Sequence, residues 1–144
     1  MAASIYAENS IIHQTGVELV CLLYSESIAR IAQATTALDS GKLPERATAV
    51  GGAMAIIVEL QTSLDAESGG ELAKDLARLY EYVQDRLITG HAEQQREPFE
   101  QAQQILETLL SGWQECRSSL DEEKKDDAAE TVLAAEAGPR AWTV

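Results

Sequence analysis

Residues 53–80 read AMAIIVELQTSLDAESGGELAKDLARLY, and this stretch decides the fold. Apolar residues recur at helical spacing on both sides of a short polar joint, Asp65–Gly70, which contains two glycines. A joint of this length places the two flanking helices side by side and antiparallel. The stretch therefore predicts a helical hairpin in the middle of the chain.

Length and composition indicate one all-α domain. The chain has 144 residues, which is enough to bury a hydrophobic core without a metal or a disulfide. Residues that favour helices dominate, aromatic residues make up only 5%, and glycine and proline are few. This composition favours a helical class over a β-sheet class.

The hydrophobic pattern extends the hairpin to an antiparallel up-down four-helix bundle over residues 16–118. Gly41 suits the end of a first helix and Pro44 the first turn of a second. Residues 1–15 lack a sustained period and are predicted to be a flexible N-terminal arm, and residues 119–144 are predicted to be a disordered acidic tail. The predicted helices span 16–39, 44–63, 70–89 and 97–117.

Each predicted helix carries one apolar stripe that is expected to face the core. The stripes are Val17, Val20, Tyr24, Ile28, Ile31, Leu38; Ala47, Val50, Met54, Ile57, Leu60, Leu64; Leu72, Leu76, Leu79, Val83, Leu87; and Phe99, Ala102, Ile105 or Leu106, Leu109, Trp113, Cys116. Further apolar residues widen the first two helices beyond these stripes, namely Leu19, Cys21, Leu22, Leu23, Ile56 and Val58. Such residues either pack in the core or form a surface for the apolar residues of another chain, and the pattern leaves both interpretations open.

Two consecutive glycines, Gly51 and Gly52, lie inside the second predicted helix. Together they cost about 2 kcal/mol of helix stability relative to alanine. They indicate either that a neighbouring helix approaches closely here or that the two glycines arose by sequence drift and are tolerated without a packing role.

The charge of the chain argues against binding to nucleic acids or to anionic membranes. The formal net charge is −13, whereas such binding needs clustered lysine and arginine. The first cation is Arg30, so no basic region precedes an apolar stretch, and the longest apolar run, Leu19–Tyr24, is too short to span a bilayer. We therefore expect a cytoplasmic protein without membrane insertion.

The sequence predicts neither a metal site nor a redox site. Cys21 and Cys116 lie far apart, with neither zinc nor redox spacing. The joint after Asp65 contains acidic residues but lacks the Asp-x-Asp-x-Asp-Gly ligand series of a calcium loop. His91 has no second histidine or cysteine at ligand spacing and is expected in a solvated loop.

Catalytic chemistry and cofactor binding are not indicated either. The chain contains no Walker lysine loop, no Gly-x-Ser-x-Gly elbow, no His-Glu-x-x-His motif and no dinucleotide fingerprint. A di-metal bundle enzyme would need Glu-x-x-His pairs on two helices, and these are absent from the sequence. We therefore expect a protein that is not an enzyme and needs no cofactor.

Several short motifs resemble the FliS family of flagellar secretion chaperones by their order and spacing. They are Leu23-Tyr24, Ile57 to Leu60, Ser63-Leu64-Asp65, Gly69-Gly70-Glu71 and Leu79-Tyr80, together with a tryptophan, Trp113, near the end of the last helix. The resemblance covers residues 17–113. It departs where Thr15-Gly16-Val17-Glu18-Leu19 stands in place of a Ser-Pro-x-x-Leu run, and at Gly52-Ala53, where the family more often has Lys-Ala.

The resemblance implies a cytoplasmic export chaperone in bacterial flagellum assembly. Such a chaperone binds the disordered C-terminal segment of flagellin, prevents its premature polymerisation and delivers it to the flagellar type III secretion apparatus, where an export-gate component is a further expected partner. The expected client-binding residues are Tyr6, Leu23, Tyr24, Met54, Ile57, Val58, Leu79 and Tyr80. The alternative is a regulatory or assembly bundle that forms a homodimer through the same apolar face and has no flagellin client.

Overall fold

The computed structural model describes residues 5–6 and 16–118 of the chain. They form four helices: α1 is Val17–Asp39, α2 is Leu43–Thr62, α3 is Ala66–Glu93, and α4 covers 96–118. The described residues contain no strand, only an isolated antiparallel bridge between Tyr6 and Leu64. The predicted antiparallel four-helix bundle is thereby confirmed, whereas the predicted disordered tail and, apart from residues 5–6, the predicted flexible arm lie outside the described residues.

Short turns with recognisable caps set the antiparallel order. Gly41 has a φ of 68° between α1 and α2, and a proline stands in the first turn of α2. The carboxylate of Asp65 accepts hydrogen bonds from the main-chain N–H groups of Glu67 and Ser68, at 3.1 and 3.3 Å, and so begins α3. Gln94, with a left-handed φ of 54°, ends α3 before the turn into α4.

The predicted bounds of the third helix are wrong at both ends. The Asp65 cap starts α3 at Ala66 rather than at Gly70, and Gly70, with φ 55° and ψ −133°, forms a kink that separates this first turn from the long helical run that the prediction begins at Gly70. At the other end α3 continues past Thr89 to Glu93, because Gly90 remains helical.

The contact between the start of α2 and the end of α3 depends on a buried arginine. Arg46 is 5% exposed, and its Nε donates a hydrogen bond to Nδ1 of His91 at 3.1 Å. Its Nη2 also donates to the main-chain oxygen of His91 at 3.4 Å, where the negative end of the α3 dipole favours a cation. The prediction that His91 lies in a solvated loop is wrong, because His91 is half-buried in the last turn of α3.

The core contains most of the predicted stripes, but several small residues replace larger ones. Ala49 and Ala53 are buried in α2, whereas Ala47 is exposed and Met54 is half-buried. Of the alternatives Ile105 and Leu106, Leu106 is the core residue. The other predicted stripe members outside the fully buried core are Ile28, Leu38, Leu64 and Leu109, which are partly buried against it, Leu79, which is half-buried, and Leu72 and Cys116, which are exposed. The core faces of α2 and α3 therefore include small residues that a pattern of large side chains does not mark, such as Ala53 and Ala73.

The two glycines inside α2 do not mark a close approach of helix backbones. A Cβ on Gly51 would meet nothing within 4 Å, so the predicted close approach is wrong at this residue. A Cβ on Gly52 would lie 3.0 Å from Cδ of Arg30 in α1, so the neighbour is a flexible side chain.

Candidate functional site

Four aromatic side chains meet inside the bundle. Tyr24 of α1, Tyr80 of α3 and Trp113 of α4 are all buried, and Tyr6 joins them from outside the four helices with 1% exposure. The Tyr6 and Tyr80 hydroxyls are 3.0 Å apart, and the Tyr24 hydroxyl is also hydrogen-bonded to that of Tyr80. The Trp113 ring centroid lies 6.1 Å from that of Tyr6 and 6.4 Å from that of Tyr24. The cluster therefore ties three helices and the N-terminal segment together.

Burial keeps the three hydroxyls of this cluster protonated. Desolvation raises the pKa of Tyr24 to about 12, although hydrogen bonds with Tyr80 and Trp113 oppose the rise. Desolvation also raises the pKa of Tyr6 and of Tyr80 far above the usual value, and in both cases the charge of neighbouring tyrosines adds to the rise. Neutral, buried hydroxyls with such pKa values cannot act as bases near neutral pH, so their role is to hold the fold.

Ile5 packs against the joint between α2 and α3. The main-chain N–H of Asp65 donates a hydrogen bond to the carbonyl of Ile5, next to the bridge between Tyr6 and Leu64. A Cβ on Gly69 would lie 2.9 Å from Cβ of Ile5, so only glycine leaves room for this side chain. The glycine pair of the joint therefore serves the docking of the N-terminal segment as well as the bend in α3.

The eight client-binding residues expected from the sequence divide into two groups. Four are buried in the core, namely Tyr6, Tyr24, Ile57 and Tyr80. The other four reach the surface: Leu23, Met54 and Leu79 are half-buried, and Val58 is 41% exposed. The structure brings Tyr6, Tyr24 and Tyr80 together in the aromatic cluster, while Met54 and Val58 lie one turn apart on α2.

A shallow groove of about 430 Å³ runs between the outer faces of α3 and α4. Its lining residues are Leu79, Tyr82, Gln101, Gln104, Ile105, Thr108 and Leu109. Arg86 closes one end, because its Nη1 donates a hydrogen bond to Oε1 of Gln101 at 3.3 Å and its guanidinium carbon lies 5.4 Å from the centre of the Tyr82 ring. We call this feature the α3–α4 groove.

Large apolar side chains also remain exposed elsewhere on the described surface. Besides Tyr82 at 45% and Val58 at 41%, they are Leu22 at 62% and Leu43, Leu72 and Ile88 at 55% each. They lie on α1, α2 and α3. No described helix is long and apolar enough to cross a membrane, and no cluster of potential metal ligands occurs in the described part of the chain.

The sequence pattern missed most of the groove. Tyr82 is not among the expected client-binding residues, Leu109 is assigned to the core, and Ile105 is assigned to it only as an alternative to Leu106. The i, i+3 spacing of Leu79 and Tyr82 could have indicated the α3 wall, since both lie on one helix face. The neutral polar residues Gln101, Gln104 and Thr108 carried no signal of their own in the sequence.

Comparisons with known proteins agree on one family. The family described as flagellar protein FliS matches residues 1–131. The flagellar secretion chaperone FliSB of Pseudomonas aeruginosa is 37% identical over 95 residues, which cover 66% of this chain and 75% of that protein. The flagellar secretion chaperone FliS of Vibrio cholerae is 26% identical over 96 residues, with 67% and 71% covered. That of Salmonella typhimurium is 25% identical over 114 residues, with 78% and 84% covered.

Proposed function

Because this chain belongs to the FliS family, a family of flagellar secretion chaperones and not of enzymes, we propose that it holds flagellin before export. In this proposal the protein works in the cytoplasm and binds the disordered C-terminal segment of flagellin. The bound segment is prevented from polymerising prematurely and is delivered to the flagellar type III secretion apparatus, where a component of the export gate is a second partner.

The observation that supports a client is the apolar exterior of the bundle. Six large apolar side chains are 41–62% exposed on α1, α2 and α3, although the core is already filled by other residues. Contiguous exposed apolar surface is typical of a binding site, and in this proposal these side chains contribute to such a surface. Each Å² of apolar surface that a client covers contributes about 25 cal/mol, which offsets the cost of ordering a disordered segment.

The expected client-binding residues have different roles in this proposal. Leu23, Met54, Val58 and Leu79 contact the client directly, because their side chains reach the surface. Tyr24, Ile57 and Tyr80 support that surface from beneath. Tyr6 contacts the client only when its segment leaves the aromatic cluster.

Binding of a peptide from the C-terminal segment of flagellin tests this function. Calorimetry is expected to show a one-to-one complex, and light scattering after size exclusion to show one chain and one peptide per particle. The alternative, a homodimer without a client, predicts instead a stable dimer whose mass the peptide does not change. That result would refute the chaperone proposal.

A further inference from the structure

The sequence after α4 contains a tryptophan in a stretch that differs from the rest of the acidic tail. Residues 137–144 read AGPRAWTV and contain no acidic residue, whereas residues 121–136 contain seven. Trp142 is one of two tryptophans in the chain, and the other, Trp113, is buried in the bundle. An indole ring combines a large apolar surface with one polar group, and such rings are enriched where protein surfaces bind each other. The tail therefore contains a segment with the chemistry of a docking motif.

The α3–α4 groove has a lining of matching chemistry. None of its seven lining residues is charged, whereas four other grooves of the described surface each include at least one charged residue. The groove volume of about 430 Å³ exceeds that of one indole ring. Four of the lining residues are apolar and keep exposed surface, namely Leu79, Tyr82, Ile105 and Leu109.

Acidic side chains do not suit this groove, so it discriminates between the two parts of the tail. A carboxylate would lose its water there without meeting an opposite charge in the lining, and that desolvation is costly. An indole ring loses little, because its N–H is its one polar group and the exposed Gln104 offers a side-chain oxygen as acceptor. Of the tail, residues 137–144 are therefore the part that fits.

The length of the tail matches the distance to the groove. Leu109 and Gln101 lie 9 and 17 residues before residue 118, the last described residue of α4. At 1.5 Å per residue these positions are about 14 to 26 Å back along the helix. Trp142 follows residue 118 by 24 residues. A disordered chain of that length, as the sequence predicts for the tail, has an r.m.s. end-to-end distance of about 25 Å.

A tether whose r.m.s. length equals the span presents its end group at a high local concentration. For a flexible link of this kind the effective concentration is on the order of 1 mM. A dissociation constant on the order of 1 mM for the isolated segment is then enough to fill the groove about half of the time. One aromatic anchor can supply an affinity this weak.

We propose that residues 137–144 dock through Trp142 in the α3–α4 groove of their own chain. The indole ring lies against Tyr82 and Ile105, and its N–H donates a hydrogen bond to Gln104. The long side chain of Arg140 keeps its charge in water. The docked segment covers Leu79, a proposed client contact, so it competes with the client. The competition rests on the proposed function, whereas the docking does not.

Fluorine NMR of the full-length protein labelled with fluorotryptophan tests the docking without a client. Trp142→Phe identifies the Trp142 signal, and a labelled peptide of residues 137–144 gives its free position. We expect the wild-type signal to lie away from that position. Tyr82→Ala is expected to move it at least half of the way back, and Ile88→Ala to leave it unchanged. Both native residues are exposed on α3, at 45% and 55%, but only Tyr82 lines the groove.

Calorimetry with a peptide of flagellin's C-terminal segment tests the competition. A groove that its own tail fills half of the time binds a competitor about twofold more weakly. Trp142→Ala is therefore expected to raise the affinity about twofold or more. The control Leu133→Ala removes a large apolar residue from the acidic part of the tail and is expected to leave the affinity unchanged. Circular dichroism confirms that each variant is folded.

The possible results separate this inference from the proposed function. A wild-type Trp142 signal at the free position, or one that Tyr82→Ala and Ile88→Ala affect alike, overturns the docking. A signal that returns to the free position on dilution, with a dimer seen by light scattering, shows docking on a second copy and also overturns it. If Trp142 is docked but the flagellin peptide does not bind, the docking stands and the proposed function fails. If the peptide binds without releasing Trp142, the competition is overturned and the proposed function stands.

Discussion

The hydroxyls of Tyr6, Tyr24 and Tyr80 share one hydrogen-bond network, and burial raises the pKa of each above the ordinary tyrosine value of 10.0. A raised pKa means that the folded state binds the proton more tightly than the unfolded state does. The stability that depends on these protons is complete below pH 10 and is lost as the pH rises through the folded-state values, of which that of Tyr24 is about 12. High pH therefore destabilises the bundle by ionising the tyrosines of this cluster.

We predict that the free energy of unfolding falls steeply once the pH exceeds 10. The expected slope is about 1.4 kcal/mol per pH unit for each of the three tyrosines. Urea denaturation on either side of pH 10 measures this slope. The variant Tyr80→Phe is expected to lose one third of it, and an unchanged slope in that variant would contradict the role assigned to burial.

Two adjacent residues of α2 have different expected roles: one supports the fold, and the other contacts the client. Ile57 is 0% exposed and Val58 is 41% exposed, although both are β-branched and adjacent. Ile57→Asp buries an uncompensated charge and is expected to unfold the protein or to cost more than about 4 kcal/mol. Val58→Asp is expected to change stability by less than about 1 kcal/mol and to weaken binding of the flagellin peptide.

Circular dichroism and peptide calorimetry on the two variants check this expectation. A folded Val58→Asp protein with wild-type affinity would remove Val58 from the proposed client contacts. Similar unfolding of both variants would show that Val58 supports the core despite its exposure.

The turn between α3 and α4 depends on the absence of a side chain at Gly90. A Cβ at this position would lie 2.8 Å from ring carbons of Phe99, which is fully buried, and 3.1 Å from the main-chain oxygen of Gln95. Neither neighbour can move freely, because the ring is packed in the core and the oxygen belongs to the turn. The glycine therefore fixes how closely the first turn of α4 packs on the end of α3.

Alanine substitutions at two helical glycines are expected to act in opposite directions. Gly90→Ala forces Phe99 out of its place and is expected to cost about 1–3 kcal/mol. Gly112→Ala in α4 meets nothing within 4 Å and is expected to stabilise by up to about 1 kcal/mol, since alanine favours the helix. Chemical denaturation measures both, and a stabilised Gly90→Ala protein would contradict the steric argument.

Helices and turns could be predicted from the sequence because their signals are local. Gly41, Pro44 and the apolar periods place the junction between α1 and α2 within a residue or two, and they place the end of α2 and the start of α4 equally well. The Asp65 cap was present in the sequence, but the glycines after it favoured a longer joint. The packing of Ile5 against Gly69 joins residues more than 60 positions apart, so no local pattern could reveal this contact.

The α3–α4 groove was unpredictable for a related reason. Whether an apolar helix residue faces the core or a groove depends on a rotation of the helix by a fraction of a turn. On α3 the buried Ala73 shares the core face with Leu76 and Tyr80, and the small size of alanine gives it little weight in a hydrophobic pattern. Leu79, which the pattern placed in the core stripe as well as among the client-binding residues, is half-buried at the groove, and Leu109 is partly buried against the core.

The whole molecule carries far more negative than positive charge. The sequence has 24 acidic and 11 basic residues, and the ion pairs of the described part are exposed and mostly join residues at most four positions apart. The pair Arg96–Asp39, at 2.6 Å, is the one among them that links α4 to α1. Repulsion between the remaining acids therefore opposes the compact state.

We predict that moderate salt stabilises the protein. Screening of the repulsion from low to physiological ionic strength is expected to raise the free energy of unfolding by about 1 kcal/mol. Thermal denaturation in sodium chloride measures the change, with a neutral sugar at equal osmolality as the control. A decrease with salt would mean that the surface ion pairs outweigh the repulsion.

The docking of Tyr6 also sets an order of events during synthesis. Its hydroxyl partner is Tyr80, 74 residues further along the chain, and its ring partner is Trp113. On the ribosome, Ile5 and Tyr6 emerge early, but the place they occupy is complete only once most of α4 has been translated. Ile5 and Tyr6 are thus translated long before the residues that hold them, and they reach their final position late.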